Sequence, residues 1–301
     1  MSKILITGVR GFTGAHLVRE LRSVGHDVCG LSHTPAPDCE IPIHACDLLD
    51  RQGLIDVLSQ HRPDAVVHLA AIAFVAHGDV REMYGTNVVG TRNLLDAIVA
   101  SGCQPKSVLL ASSANVYGNL DREVIDESAP VSPANDYAVS KLSAEYVARL
   151  WMDRLPITIV RPFNYTGVGQ SVNFLLPKIV EHFRDRRPVV ELGNLDVIRD
   201  FSDVRTVVAA YRKLLSGVYA GRTFNVCSGR GYALRDVIGI MELLTGHRPE
   251  IRVNPAFVRA SEVRKLVGNG DALRTAIGDI EQIPLTDTLR WMLDGLAADQ
   301  Q

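Results

Sequence analysis

Residues 4–14 read ILITGVRGFTG, an apolar run that stops in a cluster of glycines. Beyond the glycines Leu17, Val18, Leu21 and Val24 recur on one side of a helix. The cluster therefore joins a strand to a helix, which is the context a phosphate site needs. Glycines let the backbone turn tightly and approach a pyrophosphate, and the helix N-terminus offers free N–H groups and a positive dipole end. Gly8, Gly11 and Gly14 are spaced GxxGxxG, with Arg10 where the commonest dinucleotide pattern has its middle glycine. A glycine-rich turn can also simply connect a strand to a helix; its placement here favours a nucleotide.

Working outward, Asp27–Leu31, Ala65–Leu69, Ser107–Leu110 and Ile157–Val160 read as further strands. Helical stretches separate them, notably Val88–Val99 and Ala138–Leu150. Strands rich in Val, Ile and Leu that alternate with helices predict an α/β fold. The expected form is a Rossmann-type, doubly wound parallel sheet covered on both faces. At the end of the second strand an acid would bond the ribose of NAD, whereas a base can accept a 2′-phosphate. Here Ser32-His33-Thr34 stand, with no acid before Asp38, and Arg10 can reach the same region. The reading favours NADP(H) over NAD(H). Asp47 lies where the chain could return to the adenine; it could instead cap a helix before Leu48.

The totals exclude other classes. The chain has 301 residues, is 47% hydrophobic and 22% charged, and carries a net charge of -2. No long basic run points to nucleic acid or an anionic membrane surface. The N-terminal apolar run is too short for a signal peptide, and no apolar stretch is long enough to span a bilayer. Cys29, Cys39, Cys46, Cys103 and Cys227 form no CxxC pair and suit small core fillers better than disulfides or zinc ligands. No metal is expected, and a reducing cytoplasm is.

Tyr137 and Lys141, in DYAVSK (residues 136–141), sit one helical turn apart after a turn-forming stretch. A phenol titrates near about 10, and an adjacent ammonium lowers that value. Such a pair occurs by chance on many helices, but here it does not stand alone. The Gly8–Gly14 cluster, Ser112-Ser113-Ala114-Asn115-Val116-Tyr117-Gly118 and Tyr137-Ala138-Val139-Ser140-Lys141 together resemble the extended short-chain dehydrogenase/reductase family, in its nucleotide-sugar branch.

The resemblance implies roles. Tyr137 is the general acid/base, Lys141 bonds the nicotinamide ribose and lowers the Tyr137 pKa, and Ser113 bonds the substrate carbonyl. The cofactor site takes Gly8, Arg10, Gly11, Phe12, Thr13 and Gly14, then Ser32, His33, Asp47 and Leu48. Leu69, Ala70, Ala71, Asn87 and Pro162 join Tyr137 and Lys141 in it. Ser112 is expected to point elsewhere, and Tyr117 to be a packed aromatic.

The second half resembles the GDP-mannose 4,6-dehydratases and GDP-4-keto-6-deoxymannose reductases. The resemblance rests on Leu192–Asp196 with Arg199-Asp200-Phe201, and on Arg259–Val263, where Ala260 replaces the family's proline. It implies that Arg199 and Arg259 hold a diphosphate and Glu262 a ribose, with Asn115, Asn164 and Asn173 as further substrate contacts. Arg199 beside Asp200 could instead be a surface ion pair, and the asparagines could serve caps or turns. The expected division is 1–165 with about 200–228 as the dinucleotide-binding domain, and 166–199 with 229–301 as a smaller mixed α/β substrate domain.

The dehydratases carry an acid two positions after the active-site serine or threonine. Asn115 stands there, and an amide is no acid/base near neutral pH. The Cys and His pair of the 3,5-epimerase/reductases is missing too. The remaining Ser-Tyr-Lys set implies reduction of a GDP-linked, or other NDP-linked, 4-keto-6-deoxy sugar by a homodimer. A 4-epimerase, a weak dehydratase and a non-catalytic cofactor-binding regulator are the alternatives.

Overall fold

The apolar run becomes β1 (Lys3–Thr7), buried at all but its first residue. The computed structural model describes residues 1–34, 39–73, 79–257 and 263–298. From β1 the chain runs through α1 (Phe12–Ser23), β2 (Asp27–Ser32), β3 (Ile43–Ala45), α2 (Arg51–His61) and β4 (Ala65–His68). It continues through α3 (Val80–Tyr84), α4 (Thr91–Ala100), β5 (Ser107–Ala111), α5 (Asp136–Arg149) and β6 (Ile157–Pro162). The second half comprises β7 (Asn164–Thr166), α6 (Leu175–Arg184), β8 (Val189–Leu192), β9 (Ile198–Asp203), α7 (Val204–Leu214) and β10 (Thr223–Val226). Last come β11 (Gly231–Ala233), α8 (Leu234–Thr245), β12 (Glu250–Val253), β13 (Lys265–Leu266), α9 (Asp271–Ile277) and α10 (Leu285–Ala298).

Seven strands form one sheet in the order β10-β6-β5-β4-β1-β2-β3, parallel at every pairing. Side chains alternate across it. Ile4 and Ile6 join Val67 and Leu109 beneath α1 and α7, while Leu5 joins Val66, Val108 and Leu110 beneath α2, α4 and α5. Two buried layers on opposite faces make this a Rossmann-type α/β fold, as the Val/Ile/Leu strands predict. β1 and β4 are neighbours whose connections leave in opposite directions, so the crevice beyond their C-terminal ends is the switch point where such folds bind ligands.

β9 pairs with β7, β11 and β13, antiparallel only to β11, and β8 pairs with β12. α6, α8 and α10 share a separate core with β8. α7 and β10 return to the large sheet, β10 beside β6. No described helix is long and apolar enough to cross a membrane.

Two helix starts differ from the sequence reading. α5 begins at Asp136 because the Asn135 side chain caps it, accepting the Ala138 N–H at 2.9 Å. The stretch read as helical from Val88 is wider at first: Gly85–Gly90 is a π-helical segment, and α4 begins at Thr91.

Candidate active site

The glycine loop lies against the end of β4. Gly8 has φ +68°, and a Cβ there would stand 2.7 Å from the Ala70 nitrogen. A Cβ on Gly14 would meet the Gly8 carbonyl at 2.5 Å, so that glycine lets α1 sit close on the loop. Gly11 is the N-cap of α1 and makes no side-chain cap, which leaves first-turn N–H groups and the positive helix end for an anion. Arg10 reaches across to the end of β2, where its Nη1 donates to Thr34 Oγ1 at 2.7 Å. The Thr34 N–H in turn bonds Ser32 Oγ at 3.3 Å, and His33 is exposed beside them. Tight turn, uncapped helix end and guanidinium together fit a dinucleotide.

Behind the loop runs a buried chain of hydrogen bonds whose directions the partners fix. Thr91 Oγ1 donates to the Asn87 carbonyl at 2.6 Å, so it accepts from His68 Nε2–H at 2.9 Å. His68 Nδ1 is then the acceptor for the Thr7 hydroxyl at 2.7 Å, and Thr7 Oγ1 accepts the Ala70 N–H at 3.2 Å. Burial, helped by the Lys141 charge, pushes His68 down to about 3, so the ring stays neutral. The Asn87 amide holds both the N–H and the carbonyl of Ile72, at 2.8 and 3.1 Å, and donates to Ser140 Oγ at 2.9 Å. Ser140 Oγ donates to the Tyr137 carbonyl at 2.8 Å. One polar chain thus links β1, the Leu69–Ala71 segment after β4 and the first turn of α5.

Ser113, two residues beyond the end of β5, caps the short 3₁₀ turn Ala114–Tyr117. Its Oγ accepts the Asn115 N–H at 3.2 Å and the Asn115 side-chain amide at 3.1 Å. Its own proton is therefore left for a further acceptor, and Ser113 exerts a lowering influence on the Tyr137 phenol. Tyr137 and Lys141 share one face of α5, as their spacing predicts, and Lys141 is buried. The Tyr137 phenol is pushed up to about 12, not down: burial outweighs the lowering effect of Ser113. Burial likewise pushes the Lys141 ammonium down to about 8, against the raising influence of Glu145.

Ser112 does point elsewhere. Its Oγ donates to Glu145 Oε1 at 2.5 Å. Tyr117 is fully buried, and its hydroxyl donates to Asn225 Oδ1 at 2.7 Å while accepting from Arg161 at 3.0 Å. Sequence reading did not single out Glu145, Arg161 or Asn225, nor Tyr165, whose hydroxyl meets Thr13 Oγ1 at 2.7 Å and whose ring stacks on Phe12. Asp47 does not cap α2. It folds back on the Leu49 N–H, and the cap is Asp50, which accepts the Gly53 N–H. Leu48 is buried against Gly90, and Pro162 is buried at the end of β6.

In the second half, half-buried Arg199 donates to the Ile198 and Arg264 carbonyls at 2.9 and 3.4 Å. Asp200 turns inward: it is fully buried and accepts from Ser228, Gly229 and Gly268. It serves as a clasp for those loops. Asn164 is exposed at the start of β7, and the Asn173 N–H bonds Ser171 Oγ in the turn before α6. Arg259 and Glu262 lie outside the described residues, as does Asp38.

Known proteins are similar to this chain in sequence and fold. Residues 4–227 match the profile of the NAD dependent epimerase/dehydratase family. A GDP-6-deoxy-D-talose 4-dehydrogenase of Aggregatibacter actinomycetemcomitans is 34% identical over 92% of this chain and 92% of its own. A GDP-6-deoxy-D-mannose reductase of Pseudomonas aeruginosa is 34% identical over 97% of this chain and 96% of its own. Among solved structures, a protein of Burkholderia cenocepacia J2315, provisionally described as an epimerase, is 48% identical with a TM-score of 0.93, covering 98% of both chains. RMD from Pseudomonas aeruginosa, complexed with NADPH, is 32% identical with a TM-score of 0.87, over 99% of this chain and 100% of its own.

Proposed function

The chain belongs to the NAD dependent epimerase/dehydratase family, and from that premise we propose that it is a nucleotide-sugar oxidoreductase. Its reaction is the NADPH-dependent reduction of the 4-keto group of a GDP-4-keto-6-deoxyhexose, in 6-deoxyhexose synthesis of the rhamnose or talose type. The observation that carries the reading is Asn115. The position where a dehydratase needs an acid holds an amide turned back on Ser113, which leaves Ser113, Tyr137 and Lys141 as the reacting groups. The GDP-sugar names of two relatives support the substrate class.

A nicotinamide cofactor supplies the hydride when bound. The residues do the rest. Gly8–Gly14 and the start of α1 would hold the pyrophosphate, and Arg10 with Ser32, His33 and Thr34 the 2′-phosphate; the NADPH complex of the RMD structure supports that preference. The Lys141 ammonium would bond the nicotinamide ribose. The Ser113 hydroxyl donates to the ketone oxygen, where negative charge grows, and the Tyr137 phenol gives that oxygen its proton. Arg199 and Arg259 hold the diphosphate, with Glu262, Asn164 and Asn173 around the nucleotide and sugar. Tyr146 and Leu150, exposed on and just after α5, suit a homodimer through that helix. Free thiols on all five cysteines go with a cytoplasmic setting.

The test is incubation with enzymatically made GDP-4-keto-6-deoxymannose and NADPH, with the product identified by NMR. Stoichiometric NADPH loss and a new 4-hydroxyl support the reading; no consumption with this substrate refutes it. The likeness to the Burkholderia protein favours a second reading, a 4-epimerase, which oxidises and re-reduces the same carbon. That reading requires permanently bound NAD and conversion of a non-keto NDP-sugar without net cofactor turnover.

A further inference from the structure

Away from the switch point, three chemistry-bearing side chains meet at the β2–β3 edge of the large sheet. Cys29 comes from the middle of β2, His44 from the edge strand β3, and His61 from the last turn of α2. The Cys29 Sγ and one ring nitrogen of each histidine all lie within 4.8 Å of one another. The two imidazoles face each other with ring centroids 3.9 Å apart. Nε2 of His44 and Nε2 of His61 are both buried without a hydrogen-bond partner. A buried polar atom left unpaired is costly, so two on facing rings call for an explanation.

We propose that Cys29, His44 and His61 form a Zn(II) site that staples β3 and the end of α2 to β2. One thiolate and two imidazoles are a donor set suited to zinc, which takes such ligands tetrahedrally and can keep water in a fourth position. Binding is a ligand exchange without redox change. Zn(II) displaces the Cys29 thiol proton to solvent and takes the lone pair of each neutral ring. Burial already holds both histidines below their ordinary value, with the His61 charge adding to the effect on His44 and the Lys3 charge to that on His61. Burial also favours the protonated thiol, whose proton the ion displaces on binding. Both histidines are half-buried, which gives an ion a way in, while Cys29 is 5% exposed against Leu54 and Leu58 of α2. β3 is three residues long at the sheet edge, the strand with most to gain from a clip. No CxxC pair marks the site in the sequence, because each ligand comes from a different element.

The test uses the full chain, stripped with a chelator and titrated with Co(II) as a probe for zinc. The expected result is one equivalent of Co(II) bound with the visible bands of a tetrahedral field and a thiolate charge-transfer band. Zn(II) should displace it and raise the melting temperature. Cys29→Ser should erase the charge-transfer band. His44→Gln and His61→Gln should each lower Zn(II) affinity by more than the roughly tenfold to hundredfold lost on removing an outer-shell partner. Should the buried Cys29→Ser change prevent folding, the two half-buried histidine variants decide. Absence of the Co(II) bands in the wild-type chain, or uptake unchanged in both histidine variants, overturns the proposal.

Discussion

Glu145 and Arg161 form a bidentate ion pair in the protein interior, with Nη2–Oε2 at 2.6 Å, Nε–Oε1 at 2.8 Å and side chains 0% and 4% exposed. The pair joins α5 to β6, one helical turn beyond Lys141. Ser112 donates to Glu145, and Tyr117 accepts from Arg161 while donating to Asn225.

Breaking such a pair from one side leaves a buried charge uncompensated, at about 3–5 kcal/mol. Glu145→Gln and Arg161→Met should therefore each lower stability by that order, read from the urea midpoint. The double change Glu145→Met/Arg161→Met should recover much of the loss, since an apolar pair of similar volume leaves no buried charge unpaired. Single variants within about 1 kcal/mol of wild type, the range of an exposed pair, would mean that water reaches the pair.

Tyr137→Phe keeps the ring and removes the proton. Turnover should fall by roughly a hundredfold to ten-thousandfold, the scale of general acid/base help, with NADPH affinity unchanged. Ser113→Ala should also lower kcat, since it removes the hydroxyl proposed to bond the ketone, and it strands two Asn115 donors. Steady-state rates and cofactor titration measure both. Near-normal turnover in Tyr137→Phe removes the phenol from the mechanism.

Arg10 holds Thr34 at the end of β2, where a 2′-phosphate would lie. Arg10→Ala should weaken NADPH binding by about tenfold or more, the worth of one charge-assisted hydrogen bond, and leave NADH binding nearly unchanged. His33→Asp should move preference towards NADH. Titration calorimetry with both cofactors checks this; equal losses for NADPH and NADH would place Arg10 on the pyrophosphate instead.

What the sequence disclosed, it disclosed where the signal is local. The β1–glycine–α1 passage, the Val/Ile/Leu strands and the Tyr137/Lys141 face are set by residues close together in the chain, and each appears where their pattern puts it. Contacts between distant residues left no such trace. His68 meets Thr7 across 61 positions, Tyr117 meets Asn225 across 108, and the Cys29–His44–His61 group draws on three elements. Spacing pointed to Asp47 as a possible cap and not to Asp50, although either acid can begin a helix; the Asp47 side chain takes the Leu49 N–H, and Asp50 accepts the Gly53 N–H that opens α2. The direction of the Tyr137 pKa was also illegible. It depends on how much water the folded chain removes, and that desolvation outweighs a favourable neighbour.

Lys141 gives activity and stability opposite dependences on pH. Its folded-state pKa, about 8, lies below the ordinary 10.5. Between those values the unfolded chain binds more protons than the folded one, so this group's contribution to stability rises with pH there. Below about pH 8 both states are protonated, and the cost of the buried charge is fully felt. The proposed chemistry needs the ammonium, so kcat/KM should fall as pH rises through about 8 while the melting temperature shows no matching loss. Lys141→Arg replaces the titrating group with one charged throughout this range, and should flatten that alkaline limb even if it lowers the plateau. Parallel pH profiles of kcat/KM and melting temperature for both proteins provide the check. A wild-type profile flat to about pH 10, the ordinary lysine range, would show that Lys141 is not held at a lowered pKa. A limb that persists in Lys141→Arg would assign it to another group, with the Tyr137 phenol the next to examine.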